Sequence, residues 1–569
     1  MNNLGLLLYL LYSILLISII SAKTIKDVTD NQPLQESSSI KCGGVLAKLI
    51  NLNPQINIWH LLTLQDGGKT FYYHLENPSP GKQKIILDTG QPEGVLILSN
   101  NNKTFCRLWD SAGPDRSFMS NYKQRQPFYP LCGGVLYLRC PMDGHKTTLE
   151  WATDFLRNNI PGGEKITVKI RENFYQDAFR LSSEILPAGL TGTSDARPRP
   201  HGGPLPARIK NSYKDVYLIV NDLGIDIAAE AVGSKVLVGR WYPLCAKPGM
   251  FFSAILPNLV EQTGMGAETS GLITLDDIEG SALDYLIAID LGLYNAHFVM
   301  GTEHPRVDWS DRIRESVRDN KIPGPDGIGT LEPLVMTGII PVYQANWAEA
   351  CFTGGFKRYH GAFRHGVLAQ RNHGSHYGFM ENGVLLSRLQ PGLATVIIYD
   401  NGDMEMRTWK SEYDSNLGYI RHARQNGVPL VEYDSSSRIS HIGEHVKNPG
   451  TGNWSGSVDG RYRTLRAGIA IQEDSGRRFL LYGYFSSATP SAMALVFKAY
   501  LCRYAMMTDI NALEHTYLAI YHRENGGVKV QHLVKGMNVL DKRTKKGEEI
   551  PRFLGFADNR DFFYLTQKE

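Results

Sequence analysis

Arg478-Phe-Leu-Leu-Tyr482, an apolar run typical of a buried strand, opens the stretch of sequence that decides the fold. Thr489 is a favourable helix N-cap with Pro490 in the first turn, and the apolar segment after it predicts a helix that runs to about Arg503. Tyr504-Ala-Met-Met-Thr508 is again strand-like. The simplest way to connect the two strands is a strand–helix–strand crossover, so the sequence predicts α/β geometry here.

Polar residues come directly after the second strand, as Asp509-Ile-Asn511 and then Glu514 and His515. A third apolar strand is expected at Tyr517-Leu-Ala-Ile-Tyr521. Sheets of α/β proteins place ligands beyond the carboxyl ends of their strands, which makes these side chains candidates for a cleft. The alternative is that Asp509 or Asn511 forms an Asx-type turn and caps its own backbone.

Upstream, the chain divides at residues 187–206, where five prolines and four glycines in twenty positions predict a linker. Before it, short β-type runs dominate, and a helix is expected from Thr147 to Arg157. The expected fold class is α+β or mixed α/β. A C-terminal domain at 207–569 would have a mixed sheet with packed helices, and a β-rich accessory domain would occupy 23–186.

Residues 1–22 resemble a secretory signal peptide, because Leu4 to Ile20 is almost wholly apolar and Ser21 and Ala22 provide a small-residue cleavage site. The predicted location is therefore secreted, periplasmic or extracellular. The apolar run is also long enough to approach a membrane span, so a membrane partner is expected only if this segment is retained as an anchor.

Seven cysteines suit an exported protein. The first four could form two disulfides whose connectivity the sequence leaves open, and the odd total leaves at least one thiol unpaired within the chain. They are Cys42, Cys106, Cys132 and Cys140.

The charge balance argues against nucleic acid as a partner, because the formal net charge of 569 residues is only +3. No phosphate-binding P-loop, dinucleotide-binding glycine motif, Gly-x-Ser-x-Gly or His-Glu-x-x-His is present. We therefore expect no cofactor.

Thr353-Gly354-Gly355-Phe356 exposes backbone N–H groups without side chains in the way, and Arg358 lies two residues further on. Such a segment can cradle an anion, although a tight turn before a strand is the simpler interpretation.

Four histidines, at positions 360, 365, 373 and 376, crowd one short stretch. Their spacings match no standard metal site, so we expect no metal and interpret them as surface or substrate-contacting residues. A metal-dependent hydrolase is the alternative, and it predicts that chelators abolish activity.

The ordered set of these segments resembles the phosphodiester glycosidase family, which includes the mannose 6-phosphate uncovering enzyme. The matching segments are Thr353-Gly-Gly-Phe356, Glu381-Asn-Gly-Val384, Arg466-Ala-Gly-Ile-Ala470 and Met507-Thr-Asp-Ile-Asn511. The likeness is strongest over residues 280–525 and is closest to a divergent, bacterial-type branch. Thr353 stands where the family has Asn, and Asp-x-Asn replaces its glycine-rich Asp-Gly-Gly-Gly.

The resemblance implies an exported hydrolase with a glycosidase-like C-terminal domain that cleaves a glycosyl phosphodiester or a related glycosidic bond in a carbohydrate. Asp509 and Arg466 would be catalytic, with Glu514 or His515 transferring a proton. The implied substrate-binding residues are Thr353, Gly354, Gly355, Phe356, Arg358 and Asn511. The alternative is a catalytically decayed carbohydrate-binding protein on the same scaffold.

One active site requires these distant segments to meet in one cleft. We expect Arg466 to lie within a few ångströms of Asp509 or of a water-filled pocket that the two share, and to keep that carboxylate ionised by depressing its pKa.

Overall fold

The computed structural model describes residues 32–100, 102–123, 126–161, 166, 169–170, 176–187, 200–228, 235–262, 269–302, 335–356, 377–448, 461–524 and 527–568. The predicted signal peptide, Arg358 and the four clustered histidines lie outside these ranges.

The part of the chain before the predicted linker is dominated by short strands, as expected. They are β1 (Glu36–Cys42), β2 (Val45–Asn51), β3 (Trp59–Asp66), β4 (Lys69–Glu76), β5 (Gln83–Asp88), β6 (Gln91–Ser99), β7 (Asn102–Arg107), β8 (Trp109–Asp110), β9 (Gly113–Pro114), β10 (Phe128–Leu131), β11 (Leu136–Arg139) and β12 (Ile185–Pro187). Two helices, Arg116–Tyr122 and Thr148–Asn159, accompany them.

The rest of the described chain is also rich in strands. They are β13 (Val216–Ile219), β14 (Lys235–Leu237), β15 (Tyr242–Leu244), β16 (Lys247–Ile255), β17 (Asp284–Asp290), β18 (Tyr294–Val299), β19 (Ala348–Thr353), β20 (Phe379–Glu381), β21 (Val384–Ser387), β22 (Ala394–Tyr399), β23 (Met404–Thr408), β24 (Ile420–Gln425), β25 (Val431–Asp434), β26 (Ile439–Ile442), β27 (Thr464–Asp474), β28 (Arg477–Ala488), β29 (Tyr504–Ile510), β30 (Leu518–Glu524), β31 (Gly527–His532), β32 (Lys542–Arg543), β33 (Glu549–Ile550) and β34 (Phe562–Gln567). The helices are Asp277–Gly280, Val342–Ala345, Glu444–Lys447 and Pro490–Ala499.

These strands form open sheets. The largest has the order β15-β16-β17-β28-β27-β29-β25-β26, and two five-stranded sheets have the orders β18-β34-β19-β30-β31 and β21-β20-β24-β22-β23. Every ladder between the described strands is antiparallel, so the expected mixed sheet is wrong for this part of the chain. The protein is a β-rich mixed fold.

The predicted crossover is present in the eight-stranded sheet. β28 and β29 each pair antiparallel with β27, which lies between them, so they run in the same direction on either side of it. The helix Pro490–Ala499 connects them, and the Thr489 hydroxyl accepts a hydrogen bond from the N–H of Ala492. The helix ends before the expected Arg503 because Leu501 adopts a left-handed φ of 59°.

The N-terminal six-stranded sheet, β1-β2-β3-β4-β11-β10, contributes side chains to a core on each of its faces. Leu49, Leu62 and Leu64 belong to a core formed within residues 42–140. On the other face, Trp59 and Leu61 belong to the core shared with the C-terminal sheets. Because side chains alternate along a strand, β3 joins the two cores.

The predicted linker is only partly separate from the C-terminal region. β12 pairs with β13 across it. Leu205 donates its N–H to Oε1 of Gln472 at 2.7 Å and accepts a hydrogen bond from Nε1 of Trp241 at 2.8 Å. The described end of this segment is therefore fixed to the C-terminal core.

One disulfide, Cys106–Cys132, joins the N-terminal sheets. The expectation of a second is wrong, because Cys42 and Cys140 are free and buried.

Candidate functional site

Asp509 is the next-to-last residue of β29 and is only 4% exposed. Its Oδ1 accepts the N–H of Ile510 at 2.8 Å, and its Oδ2 lies 3.3 Å from Nη1 of Arg560 and 3.6 Å from Nδ1 of His515. Burial raises the pKa of Asp509 to about 8, and the opposing charges of Arg560 and Arg424 only partly offset it. The carboxyl group is therefore mostly protonated at neutral pH.

The Gly-Gly segment, 154 residues before Asp509 at its second glycine, packs directly on that side chain. A Cβ atom on Gly355 would overlap Asp509, and Gly355 has a φ of 96°. Only glycine meets both demands without strain. The tertiary fold therefore brings the end of β19 against the end of β29.

The N–H groups of this segment do not face an open anion site. Gly354 and Gly355 donate theirs to the carbonyl oxygen of Asp561 at 2.9 and 3.1 Å. Phe356 donates its N–H to Oδ1 of Asp561 at 2.6 Å. The expectation that the two glycines cradle a substrate anion is corrected, because Asp561 takes up these donors.

Arg424, on β24, completes this arrangement. Its Nε donates to Oδ2 of Asp561 at 2.8 Å, its Nη2 donates to the carbonyl of Gly354 at 2.5 Å, and its guanidinium lies 4.4 Å from the centroid of the Phe356 ring. Two buried donors beside Gly354 have no hydrogen-bond partner among the described residues: Nη1 of Arg424 and the hydroxyl of Thr353. Both atoms are fully buried, and each keeps a proton that no acceptor of the described residues takes up.

Arg560 connects this cluster to the N-terminal part of the chain. Its Nη1 donates to the carbonyl of Gly355 at 2.6 Å and to Asp509, while its Nε and Nη2 both donate to Oε1 of Glu150. Glu150 also caps its own helix, with Oε2 accepting the N–H of Thr147 at 3.2 Å. Arg560 and Glu150 are 1% and 7% exposed, so the pair is buried.

Arg466, the third residue of β27, makes different contacts from those expected. Its Nε donates to the carbonyl of Ala488 at 2.7 Å and its Nη2 to the carbonyl of Tyr462 at 2.5 Å, and Nη1 lies 3.5 Å from Sδ of Met507. The arginine that contacts Asp509 is Arg560. The pKa of Asp509 is raised rather than depressed, so the prediction that Arg466 keeps it ionised is wrong.

Asn511 lies in a bend after β29, and its side chain bonds to Thr464 rather than forming the Asx-type turn of the alternative interpretation. It has a φ of 85°, donates its N–H to the carbonyl of Leu465 at 2.8 Å, and accepts a hydrogen bond from the Thr464 hydroxyl at 3.1 Å. These contacts hold the loop after β29 against the start of β27.

Glu514 and His515 lie in the next short 3-10 turn, and both are partly exposed. His515 contacts the carbonyl of Ile510 through Nδ1 in addition to its approach to Asp509. The carbonyl of Glu514 accepts Nη1 of Arg552 at 2.8 Å, and the charge of Glu514 contributes to raising the pKa of Arg560. The His515 ring therefore lies beside Asp509, whereas the Glu514 carboxylate acts on the cluster through the charge of Arg560.

The sequence reasoning missed Asp561, Arg560 and Glu150. A signal for the first two existed, because Asp558-Asn-Arg-Asp561 is a polar run directly before the apolar β34. All four residues of that run are buried. Glu150 is also recognisable locally as the capping-box glutamate of its helix, but nothing local indicates its partner.

A metal is not indicated by the described residues, among which no three His, Cys, Asp or Glu side chains could hold an ion together. The histidine cluster behind the metal alternative lies outside that part of the chain, as does Arg358.

Comparison with known proteins adds little. No protein-family model matches this sequence, and no curated protein matches it significantly. The crystal structure of a hypothetical protein from Synechocystis aligns over 90% of this chain and 97% of its own, with 10% identity and a TM-score of 0.22. A Burkholderia pseudomallei protein whose name suggests that it is exported aligns over 96% of this chain and 100% of its own, with 10% identity and a TM-score of 0.14. TM-scores this low establish no shared fold.

The described residues include no helix that is both long enough and apolar enough to cross a membrane.

Proposed function

We propose that this chain is an exported hydrolase that cleaves a glycosyl phosphodiester or a related glycosidic bond in a glycan, as the resemblance to phosphodiester glycosidases implies. The observation that supports the proposal is a protonated carboxyl group, Asp509, in a cluster with two arginines and two buried donors that lack a partner among the described residues.

The reaction needs an acid to protonate the departing oxygen and cationic donors for a phosphate-type group. Asp509, with a pKa of about 8, is suited to be the acid because it holds its proton at neutral pH. Nη1 of Arg424 and the Thr353 hydroxyl would donate to the substrate. Arg560 replaces Arg466 as the cation beside the acid.

A second group must activate water or attack the sugar carbon. Glu514 and His515 are the candidates, because both are partly exposed, His515 lies 3.6 Å from Asp509, and the charge of Glu514 acts on Arg560. Substituting each one separately distinguishes them, since only the group that transfers the proton or attacks should cause a large loss of rate.

The test is an assay of purified protein on a panel of sugar-1-phosphodiesters and aryl glycosides. Asp509→Asn should lower kcat/KM by roughly 10³-fold or more, as expected for loss of an essential acid. Asp284→Asn is a matched control, because Asp284 is also buried with a raised pKa and bonds instead to the N–H of Ser486. A folded sample that turns over none of these substrates contradicts the proposal.

A carbohydrate-binding protein without catalysis is the second candidate. It is favoured by Asp561, which takes up the Gly354 and Gly355 donors, and by the contact of Asp509 with Arg560. In that case the panel gives no turnover, whereas calorimetry detects glycan binding that Thr353→Val weakens.

Export is proposed from the apolar segment Leu4–Ile20. Expression of the full chain in a host with a general secretory pathway should yield a processed protein outside the cytoplasm, with its new N-terminus near Lys23. An unprocessed, membrane-bound product would instead indicate a retained anchor.

A further inference from the structure

A cavity of about 160 Å³ lies apart from the Asp509 cluster, where three parts of the fold meet. β18 and β34 form one wall, β20 and β24 form a second, and the loop after β4 in the N-terminal region closes a third side. Neither the proposed hydrolysis nor the family resemblance assigns a role to it.

Glu381 is the distinctive group in this cavity. It is 2% exposed, and its Oε2 accepts the N–H of Met300 at 2.8 Å. Its Oε1 has no hydrogen-bond partner among the described residues, and the carboxyl group has no ion-pair partner there. A buried carboxyl group with one oxygen free in a cavity is a candidate ligand contact.

Two arginines lie near Glu381, and each already has an ion-pair partner. Arg139, on β11, pairs with Glu76, on β4, at 3.2 Å, and Arg421, on β24, pairs with Asp400 at 2.9 Å. Nε of Arg421 and Nη1 of Arg139 are nevertheless buried without a hydrogen-bond partner among the described residues. When Glu381 is ionised, its carboxylate therefore has no ion-pair partner of its own among the described residues, although the guanidinium of Arg421 also lines the cavity.

The two histidines of the lining stay neutral. Burial lowers the pKa of His297 to about 3 and that of His422 well below its ordinary value. Asn382 donates its N–H to Nδ1 of His422 at 3.4 Å, which assigns the proton of the neutral ring to Nε2. The two ring centroids are 6.4 Å apart. No three His, Cys, Asp or Glu side chains of the described residues could hold a metal ion together, so these rings and Glu381 are not a metal site.

The tyrosines of the lining supply acceptors and aromatic surface. Tyr343 donates its hydroxyl to Glu76 at 2.6 Å, and Tyr564 donates its hydroxyl to Gln344, so both oxygens keep lone pairs for a ligand donor. Burial raises the pKa of both phenols well above the ordinary value, so both are neutral. Ring faces attract organic cations, most strongly where the pair is desolvated.

We propose that this cavity binds a small organic ammonium ion, with its nitrogen paired to the free oxygen of Glu381 and its apolar body among Tyr343, Tyr564 and Phe298. An apolar cavity of ~150 Å³ accommodates benzene, so a ligand of about seven heavy atoms fits the volume. A neutral polyol is the competing ligand class, and it would need no ionised carboxylate.

The proposed binding of an ammonium ion depends on pH because it requires the carboxyl group of Glu381 to be ionised. Burial raises its pKa to about 8, only partly offset by Arg139 and the Met300 N–H, and Glu76 raises it further. Below that pKa, each unit by which the pH falls lowers the ionised fraction of Glu381 about tenfold. Ammonium binding must therefore strengthen about tenfold per pH unit from pH 6 to about 8 and then level off, until the amine itself deprotonates near pH 10.

The experiment is calorimetric titration of the full chain with cyclohexylammonium, and with cyclohexanol as its neutral isostere, at pH 6, 7, 8 and 9. We expect the amine to bind with this pH dependence and to release close to one proton at pH 7, measured by repeating the titration in buffers of different ionisation enthalpy. We expect the alcohol to bind at least ~30-fold more weakly at pH 9, because it lacks the ion pair.

Glu381→Gln should weaken cyclohexylammonium binding at pH 9 by at least ~30-fold and remove its pH dependence. Glu412→Gln, at an exposed site paired only loosely with Lys410, is the control and should bind as the wild type does. Equal binding of amine and alcohol, unchanged binding in Glu381→Gln, or no binding of the amine at pH 9 would each overturn the proposal. The proton release needs no variant, so the test stands even if Glu381→Gln folds poorly.

Discussion

Glu150, in a helix of the N-terminal region, accepts hydrogen bonds from both Nε and Nη2 of Arg560, which lies 410 residues further along the chain. The same guanidinium contacts Asp509, so the N-terminal region holds a side chain of the candidate active site in place. The predicted accessory domain, to which no chemistry was assigned from the sequence, therefore contributes directly to the site.

Glu150→Ala should lower the free energy of unfolding by about 3–5 kcal/mol, because it leaves Arg560 buried without its partner. Thr147→Ala is the control, since it removes only the other half of the capping box and should cost about 1 kcal/mol. Urea unfolding measures the free energy of unfolding of both variants and of the wild type. Equal effects of the two substitutions would mean that the pair contributes nothing beyond the helix cap.

Asp509 makes stability depend on pH, because its pKa is about 8 in the folded chain and near 3.8 when unfolded. Between these values the folded state binds more protons than the unfolded state, so stability falls as pH rises from about 4 to about 8 and then levels off. Asp509→Asn should remove this slope and gain stability relative to the wild type as pH rises. Urea titrations at pH 5, 7 and 9 test it, and a constant difference across that range would contradict it.

Gly355→Ala should destabilise the chain by more than Gly476→Ala. Both glycines have positive φ, at 96° and 80°, but a Cβ on Gly476 meets nothing within 4 Å whereas one on Gly355 overlaps Asp509. The backbone strain alone costs about 1–3 kcal/mol, and the overlap adds to it at Gly355. Thermal unfolding compares the stability of the two variants. A smaller loss of stability for Gly355→Ala than for Gly476→Ala would show that Gly355 and Asp509 are not in contact.

Arg560, and not Arg466, should control the pKa of Asp509. Replacing Arg560 by Gln together with Glu150→Gln keeps a neutral pair and should raise the pKa of Asp509 above about 8, because the nearest positive charge is lost. Arg466→Gln should leave that pKa where it is while it weakens the hydrogen bonds to Ala488 and Tyr462. Carbon-13 NMR titration of the Asp509 carboxyl group measures this directly, and a shift caused by Arg466→Gln would reverse the assignment.

Local sequence predicted the elements whose causes are local. Thr489 and Pro490 define the start of the crossover helix, and Thr147 caps the helix that carries Glu150. Asp400-Asn-Gly-Asp403, a typical hairpin-turn sequence, connects β22 to β23. Capping, turn chemistry and side-chain periodicity act over a few residues, so a single sequence contains them.

What the sequence by itself determined was therefore where several strands and helices lie, and that Asp509 is close to the end of a buried strand. Only the tertiary structure decided which arginine meets Asp509. Arg466 is in register with Ile510, next to Asp509, yet the β27–β29 ladder is irregular there and its guanidinium donates to main-chain carbonyls. Arg560, Glu150 and Asp561 reach the site because β34, β19 and the N-terminal helix pack around it. Charge pairing between residues hundreds of positions apart depends on that packing, and no local pattern encodes it.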